Sequence, residues 1–259
     1  MEIRVLGCHG SQLPGCGFTG FLIDGVTLLD AGSTSSVLTL EEQARIDHVL
    51  ISHAHLDHIR ELPSLADNLC YTRKGRPLRV ISMFPVIDAL KQHIFNGVVW
   101  PDFSILPDSV NPVLRFEPIS PGETMSIGHL RVTAVPVHHA VGSLAYLIET
   151  GQGTETKTAV FVGDTGPTEE IWSVARKGKN VRAIFVETSF PDKMAEMADL
   201  TGHLTPTALA RELEKMSPLT SQIYLYHLKL QYGNEIRSEV QSLGDDRLHF
   251  LRDGQVVRI

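Results

Sequence analysis

The run "LISHAHLDHI", residues 50–59, sets His53, His55, Asp57 and His58 within six positions directly after an apolar stretch. Three readings compete for it: a metal site, a catalytic relay and a solvated, histidine-rich turn. Alternate side chains at the end of a strand aim into one cavity, so His53 and His55 share a side. A turn into a helix then presents Asp57 and His58 to a neighbouring point. Imidazole and carboxylate donors suit zinc, manganese or iron, and two such clusters roughly 3.5–4 Å apart make a two-metal hydrolytic site. Packing needs seldom bring four such residues together, because polar side chains go inside mainly when paired. The metal reading leads.

The rest of the chain bounds that reading. Its 259 residues are enough for one large core, and we expect a single domain over 1–259. A composition of 42% hydrophobic and 20% charged residues excludes disordered and fibrous classes. The net charge of −7 supplies no overall basic field for nucleic acid. Cys8, Cys16 and Cys70 are too few and too scattered for a disulfide framework, and no CxxC pair offers a thiolate zinc site. The start "MEIRVLGCHG" lacks the pattern of a secretory leader, and no apolar run reaches membrane-spanning length. The expectation is a cytoplasmic protein without a membrane partner. Histidine, at 12 residues, is the count that departs from the ordinary.

The pattern opens as β. "EIRVLG", "TGFLID" and "VTLLD" are short apolar runs, the last two joined by Asp24-Gly25, a hairpin turn signal. "DHVLIS" is another strand, and "LPSLADNL" after the histidine motif reads as a helix. Strand and helix then alternate: "LRVIS", "FPVIDALKQHIF", "LRVTAVPV", "LAYLIE", "TAVFVGD", "EEIWSVARK" and "VRAIFVE". "TPTALARELEKM" begins with a Thr-Pro pair suited to an N-cap and first turn. "SQIYLYH", "YGNEIRSEVQSL", "LHFL" and "QVVRI" complete the chain. The order is repeated loosely in the second half. This predicts an α/β fold of two mixed sheets face to face with helices outside, a four-layer αββα sandwich.

HxHxDH after an apolar strand resembles the metallo-β-lactamase superfamily, which implies that sandwich with a one- or two-metal site at its edge. The later landmarks are present in order: His139 seven residues before Tyr146, Asp164 in "FVGDT" and His227 in "IYLYHLK". The resemblance implies His53, His55, His139 and Asp164 on one metal, with Asp57, His58, Asp164 and His227 on the other. Asp164 is then the shared carboxylate, and the cofactor is two divalent ions, zinc first, with manganese or iron as alternatives. His138 and His139 are adjacent in the extended run "VPVHH", so only one can face the metals. Spacing to Tyr146 favours His139.

Finer motifs resemble the class II cyclic-nucleotide phosphodiesterases, close to the tRNA 3′-processing endonuclease branch. "TGHLTP" contains His203, which resembles a non-ligand histidine of those enzymes, and "FVETSF" contains Glu187 where they keep an acid. "HAHLDHI", "LADNL" and "HIFNGVVWPDF" point the same way, whereas Arg60-Glu61-Leu62-Pro63 replaces the expected small residue and apolar run. The implied activity is hydrolysis of a 3′,5′-cyclic nucleotide by a metal-bridging hydroxide. His203, Glu187 and Asp57 are the catalytic candidates, and His203 also binds substrate.

Two other hydrolase readings stand beside it. A tRNA endonuclease would need an arm and a basic cluster that the sequence lacks, and a lactone or β-lactam hydrolase would not need His203. A non-catalytic metal sensor is a further alternative, although this ligand set leaves room for a water that a closed structural site would not. His9, His48, His93, His129 and His249 read as strand-flanking, packing or surface residues. Met and aromatic residues over 83–103 read as a lid, a homodimer contact or core.

Overall fold

The computed structural model describes residues 1–73 and 75–259. The first half runs β1 (Glu2–Gly7), β2 (Gly20–Ile23), β3 (Thr27–Leu29), α1 (Leu40–Arg45), β4 (His48–Leu50), α2 (Leu56–Ile59), α3 (Leu62–Thr72), β5 (Leu78–Ser82), α4 (Phe84–His93) and β6 (Leu114–Pro118). The second runs β7 (Thr124–Ile127), β8 (Leu130–Val137), β9 (Ser143–Thr150), β10 (Lys157–Phe161), α5 (Glu170–Lys177), β11 (Val181–Glu187), α6 (Ala195–Thr201), α7 (Pro206–Lys215), β12 (Gln222–Tyr226), α8 (Gly233–Ser242), β13 (Leu248–Phe250) and β14 (Val256–Arg258). Among these residues, no helix is long and apolar enough to cross a membrane.

Two seven-stranded sheets result, ordered β14-β1-β2-β3-β4-β5-β6 and β13-β12-β11-β10-β9-β8-β7. Each has an antiparallel half and a parallel half. β14, β1, β2 and β3 pair antiparallel, then β3 to β6 run parallel; β7 to β10 pair antiparallel, then β10 to β13 run parallel. The loose repeat read from the sequence is therefore one sheet plan used twice, with the last strand added to the first sheet. Asp24 and Gly25 both have positive φ, as the tight hairpin turn between β2 and β3 requires.

The period of two along each strand builds the layers. On β11, Ala183 and Phe185 face the space between the sheets, whereas Ile184 and Val186 face the outer helices. Phe21 of the first sheet meets Phe161, Phe185 and Tyr226 of the second at ring separations of 5.3, 5.6 and 5.4 Å. Trp172 of α5, Leu209 of α7 and Ile236 of α8 cover the second sheet from outside. Val86 and Leu90 of α4, with Leu65 and Leu69 of α3, pack into the first-sheet core. This is the four-layer αββα arrangement. Within 83–103, Met83, Phe95 and Phe103 are core residues, while Phe84, Val98 and Val99 are exposed.

Parallel strands gather their carboxyl ends at one edge, where connecting loops carry polar residues that the sheet interior would not tolerate. His53 follows β4, Asp164 follows β10, Glu187 ends β11 and His227 follows β12. Their burial comes from the sheet ends, and their closeness from the packing of the two sheets.

Candidate metal centre

His53, His58, Asp164 and His227 are completely or almost completely buried. Asp164 Oδ2 lies 3.2 Å from His58 Nε2, 3.1 Å from His227 Nε2 and 3.9 Å from His53 Nε2. His227 Nε2 is also 3.2 Å from Asp57 Oδ2 and 3.3 Å from His58 Nε2. On the other side of the cluster, His139 Nε2 faces His55 Nδ1 at 3.2 Å. All seven residues expected as ligands thus converge, with Asp164 between the two groups.

Their rings are aimed from behind. His58 Nδ1 sits 2.7 Å from Asp30 Oδ2, His227 Nδ1 2.9 Å from Ser189 Oγ, and His139 Nδ1 2.8 Å from the carbonyl of Gly202. Each bond uses Nδ1–H and turns Nε2 toward the cluster, the arrangement that orients metal-binding imidazoles. Gly202 takes a left-handed conformation (φ 67°) to end α6, which sets its carbonyl for His139. His227 is itself left-handed (φ 64°). A Cβ at Gly10 would lie 2.6 Å from the His227 carbonyl oxygen and 2.8 Å from its ring, so only glycine fits beside it.

The donor set fits divalent cations. His53 Nε2 and Asp164 Oδ1 are buried and have no hydrogen-bond partner, a costly state unless something else engages them. Ring nitrogens face ring nitrogens at 3.2 and 3.3 Å, with a carboxylate among them. The cavity also calls for positive charge. Burial pushes the Asp164 carboxyl up, but His227 and His58 outweigh it and hold Asp164 well below the usual carboxylate range. Burial pushes His58 down, yet Asp164 and Asp30 on its two nitrogens raise it well above free imidazole. Burial and the neighbouring His58 keep His53 neutral, with a free lone pair.

His203 is not one of the seven expected ligands, yet its donor atom lies close to those of His139 and Asp164, in a group compact enough to hold a cation. Its Nδ1 donates to Glu187 Oε1 at 2.6 Å, and its ring lies 5.0 Å from that of His139 and 5.4 Å from that of His227. Burial pushes His203 down, but the Glu187 charge and hydrogen bond outweigh this and raise it. Glu187 is fully buried and also accepts from Thr165 N–H at 3.1 Å and Ser189 Oγ at 2.7 Å. It is therefore a support for His203, turned away from solvent. His138 is exposed, with its ring against Gly166, whereas His139 faces the cluster.

The unexpected run after the motif has structural uses. Arg60 bonds Gln12 and lies 5.5 Å over the Phe18 ring. Glu61 Oε2 accepts the N–H groups of Thr34 (2.6 Å) and Ser36 (3.0 Å), while Leu62 and Pro63 start α3. Sequence reasoning missed Asp30, Ser52, Ser189 and Gly202. Asp30 ends "VTLLD", and its carboxylate also accepts Ser52 N–H at 2.8 Å; a lone acid closing an apolar strand was the available signal. Tyr146 does more than mark spacing: its hydroxyl donates to the Ile51 carbonyl at 2.8 Å, two residues before His53. His48 opens β4, His129 bonds Asp24 and His249 bonds Gln222.

A family profile described as "Beta-lactamase superfamily domain" matches residues 20–228. The chain belongs to this family. Its architecture is the metallo-β-lactamase fold, which implies divalent metals at this cluster. A probable 3′,5′-cyclic-nucleotide phosphodiesterase of Yersinia pestis is 26% identical over 80% of this chain and 65% of its own length. Unliganded yeast PDE1 superposes with a TM-score of 0.81 at 19% identity, covering 98% of each chain. The short form of human tRNase Z superposes at 0.70 with 16% identity, over 100% of this chain and 99% of the other. The two solved structures share its fold.

Proposed function

We propose that the protein is a metal-dependent phosphodiesterase that hydrolyses 3′,5′-cyclic nucleotides at a two-cation centre. The observation that carries this reading is His203. It is a buried imidazole additional to the seven expected ligands, tied to Glu187 at 2.6 Å and set against the donor rings. Phosphodiester hydrolysis releases an alkoxide that must be protonated, and an imidazole held protonated by a carboxylate beside the donor rings is suited to supply that proton.

His53, His55, His139 and Asp164 would hold one cation, and Asp57, His58, Asp164 and His227 the other. When bound, the cations supply Lewis acidity, lowering the pKa of water and neutralising phosphoryl charge; zinc leads, with manganese and iron accepting the same donors. The protein's own groups do the rest. Glu187 fixes the ring of His203 and keeps it protonated to higher pH. His203 binds a phosphoryl oxygen and gives its proton to the departing ribose oxygen. Asp57 stays ionised: burial pushes its carboxyl up, but the hydrogen bond with His227 and the charge of His58 outweigh that.

The test is His203→Ala on two leaving groups. The variant should keep its metals while kcat on cyclic AMP falls by roughly 10²–10⁴. The loss should be smaller with a p-nitrophenolate leaving group, which needs little protonation. Wild-type turnover of both diesters would remove His203 from the reaction.

A further inference from the structure

We propose that Cys8, His9 and Asp253 form a separate binding site for a thiophilic divalent cation of the zinc class. Cys8 directly follows β1, and Asp253 precedes β14, so the antiparallel pairing of these strands brings them to the same end of the sheet. Cys8 Sγ lies 3.8 Å from His9 Nε2 and 3.2 Å from Asp253 Oδ1, and His9 Nε2 lies 3.5 Å from the same oxygen. A tetrahedral zinc with sulfur at about 2.3 Å and nitrogen or oxygen at about 2.0–2.1 Å sets its ligand atoms roughly 3.3–3.6 Å apart. The His9–Asp253 side of 3.5 Å falls in that range, and the sides of 3.8 and 3.2 Å lie just outside it, so small side-chain shifts would close the triangle on a cation. As hydrogen bonds, two of its three sides are too long to be strong ones.

The surroundings fit a ligand set more than a packing contact. Asp253 is fixed before any cation arrives: Oδ2 accepts Gly17 N–H at 2.7 Å and Oδ1 accepts Cys8 N–H at 3.1 Å. Cys8 is 1% exposed, so its thiol is held inside the cluster and not in solvent. Of the three, Asp253 also borders a cleft of about 640 Å³ lined by Gln12, Cys16, Gly17 and Ser33. On binding, the cation takes the place of the thiol proton, which leaves to solvent. Cys8 also touches the main centre through its backbone, because its carbonyl accepts His227 N–H at 2.7 Å. A cation here would pin the segment from which His227 hangs. The inference stands independently of the phosphodiesterase reading.

Sulfur makes the site separable, since the seven-residue centre contains no cysteine. Cobalt(II) titrated into the metal-free full chain should give a sulfur-to-cobalt charge-transfer band in the near ultraviolet. The band should persist in Cys16→Ser and Cys70→Ser and vanish in Cys8→Ser. In His9→Gln it should need more cobalt to appear, with the ligand-field bands of the main centre unchanged. A wild-type protein saturated with cobalt that shows no such band overturns the proposal, whatever the variants do. A band that survives Cys8→Ser overturns it equally.

Discussion

Asp30 and His58 are joined by a 2.7 Å bond between carboxylate Oδ2 and imidazole Nδ1, both groups buried. The bond fixes the His58 tautomer and aims Nε2 at Asp164. Neither residue's importance to the other is visible along the chain, because 28 positions separate them.

Asp30→Asn keeps the side chain's shape and removes its charge. Metal affinity should fall by about 10–100-fold, the usual cost of losing such a support. Competition with a chromophoric chelator measures it. An unchanged dissociation constant would mean that His58 is held by packing alone.

Asp164→Ala removes the carboxylate shared by both halves of the centre. The variant should lose most of both cations by elemental analysis, and activity with them. Full metal retention would show that the ligand assignment is wrong.

The adjacent histidines give a test of register. His139→Ala should lose one cation and most turnover, because its ring faces His55 and is aimed by Gly202. His138→Ala should be mild, its exposed ring lying against Gly166. The reverse ranking would contradict the assumed direction of the two side chains.

Glu187 raises His203, so His203 stays protonated, and able to act as an acid, to higher pH than free imidazole. Glu187→Gln removes that support. The alkaline limb of kcat for a cyclic nucleotide should move to lower pH, with metal content retained. A limb that stays in place would assign it to another group.

Much of this was legible in the sequence where the signal is local. Asp24-Gly25 marks its hairpin, and Thr205 caps α7 through the N–H of Ala208. HxHxDH is local too, since a strand end and one helical turn suffice to gather it. Legibility fails where partners are distant or elements are thin. β6 and β7 are edge strands of five and four residues, half-exposed, so little apolar pattern betrays them. The six-residue α1 carries a capping box in Thr39 and Glu42, but its short apolar face is easily passed over. Ser189 and Gly202 act on rings 38 and 63 positions away. His9 reads as a packing residue until the fold delivers Asp253 beside it, 245 positions beyond Cys8.

The central claim is tested most directly by turnover. Purified protein reconstituted with zinc or manganese is assayed in parallel against cyclic AMP, a 2′,3′-cyclic nucleotide and a pre-tRNA. The account predicts metal-dependent hydrolysis of the 3′,5′-cyclic nucleotide, abolished by chelation and restored by added metal. Cleavage of the pre-tRNA with no turnover of cyclic AMP would contradict it and move the protein to the tRNA-processing branch.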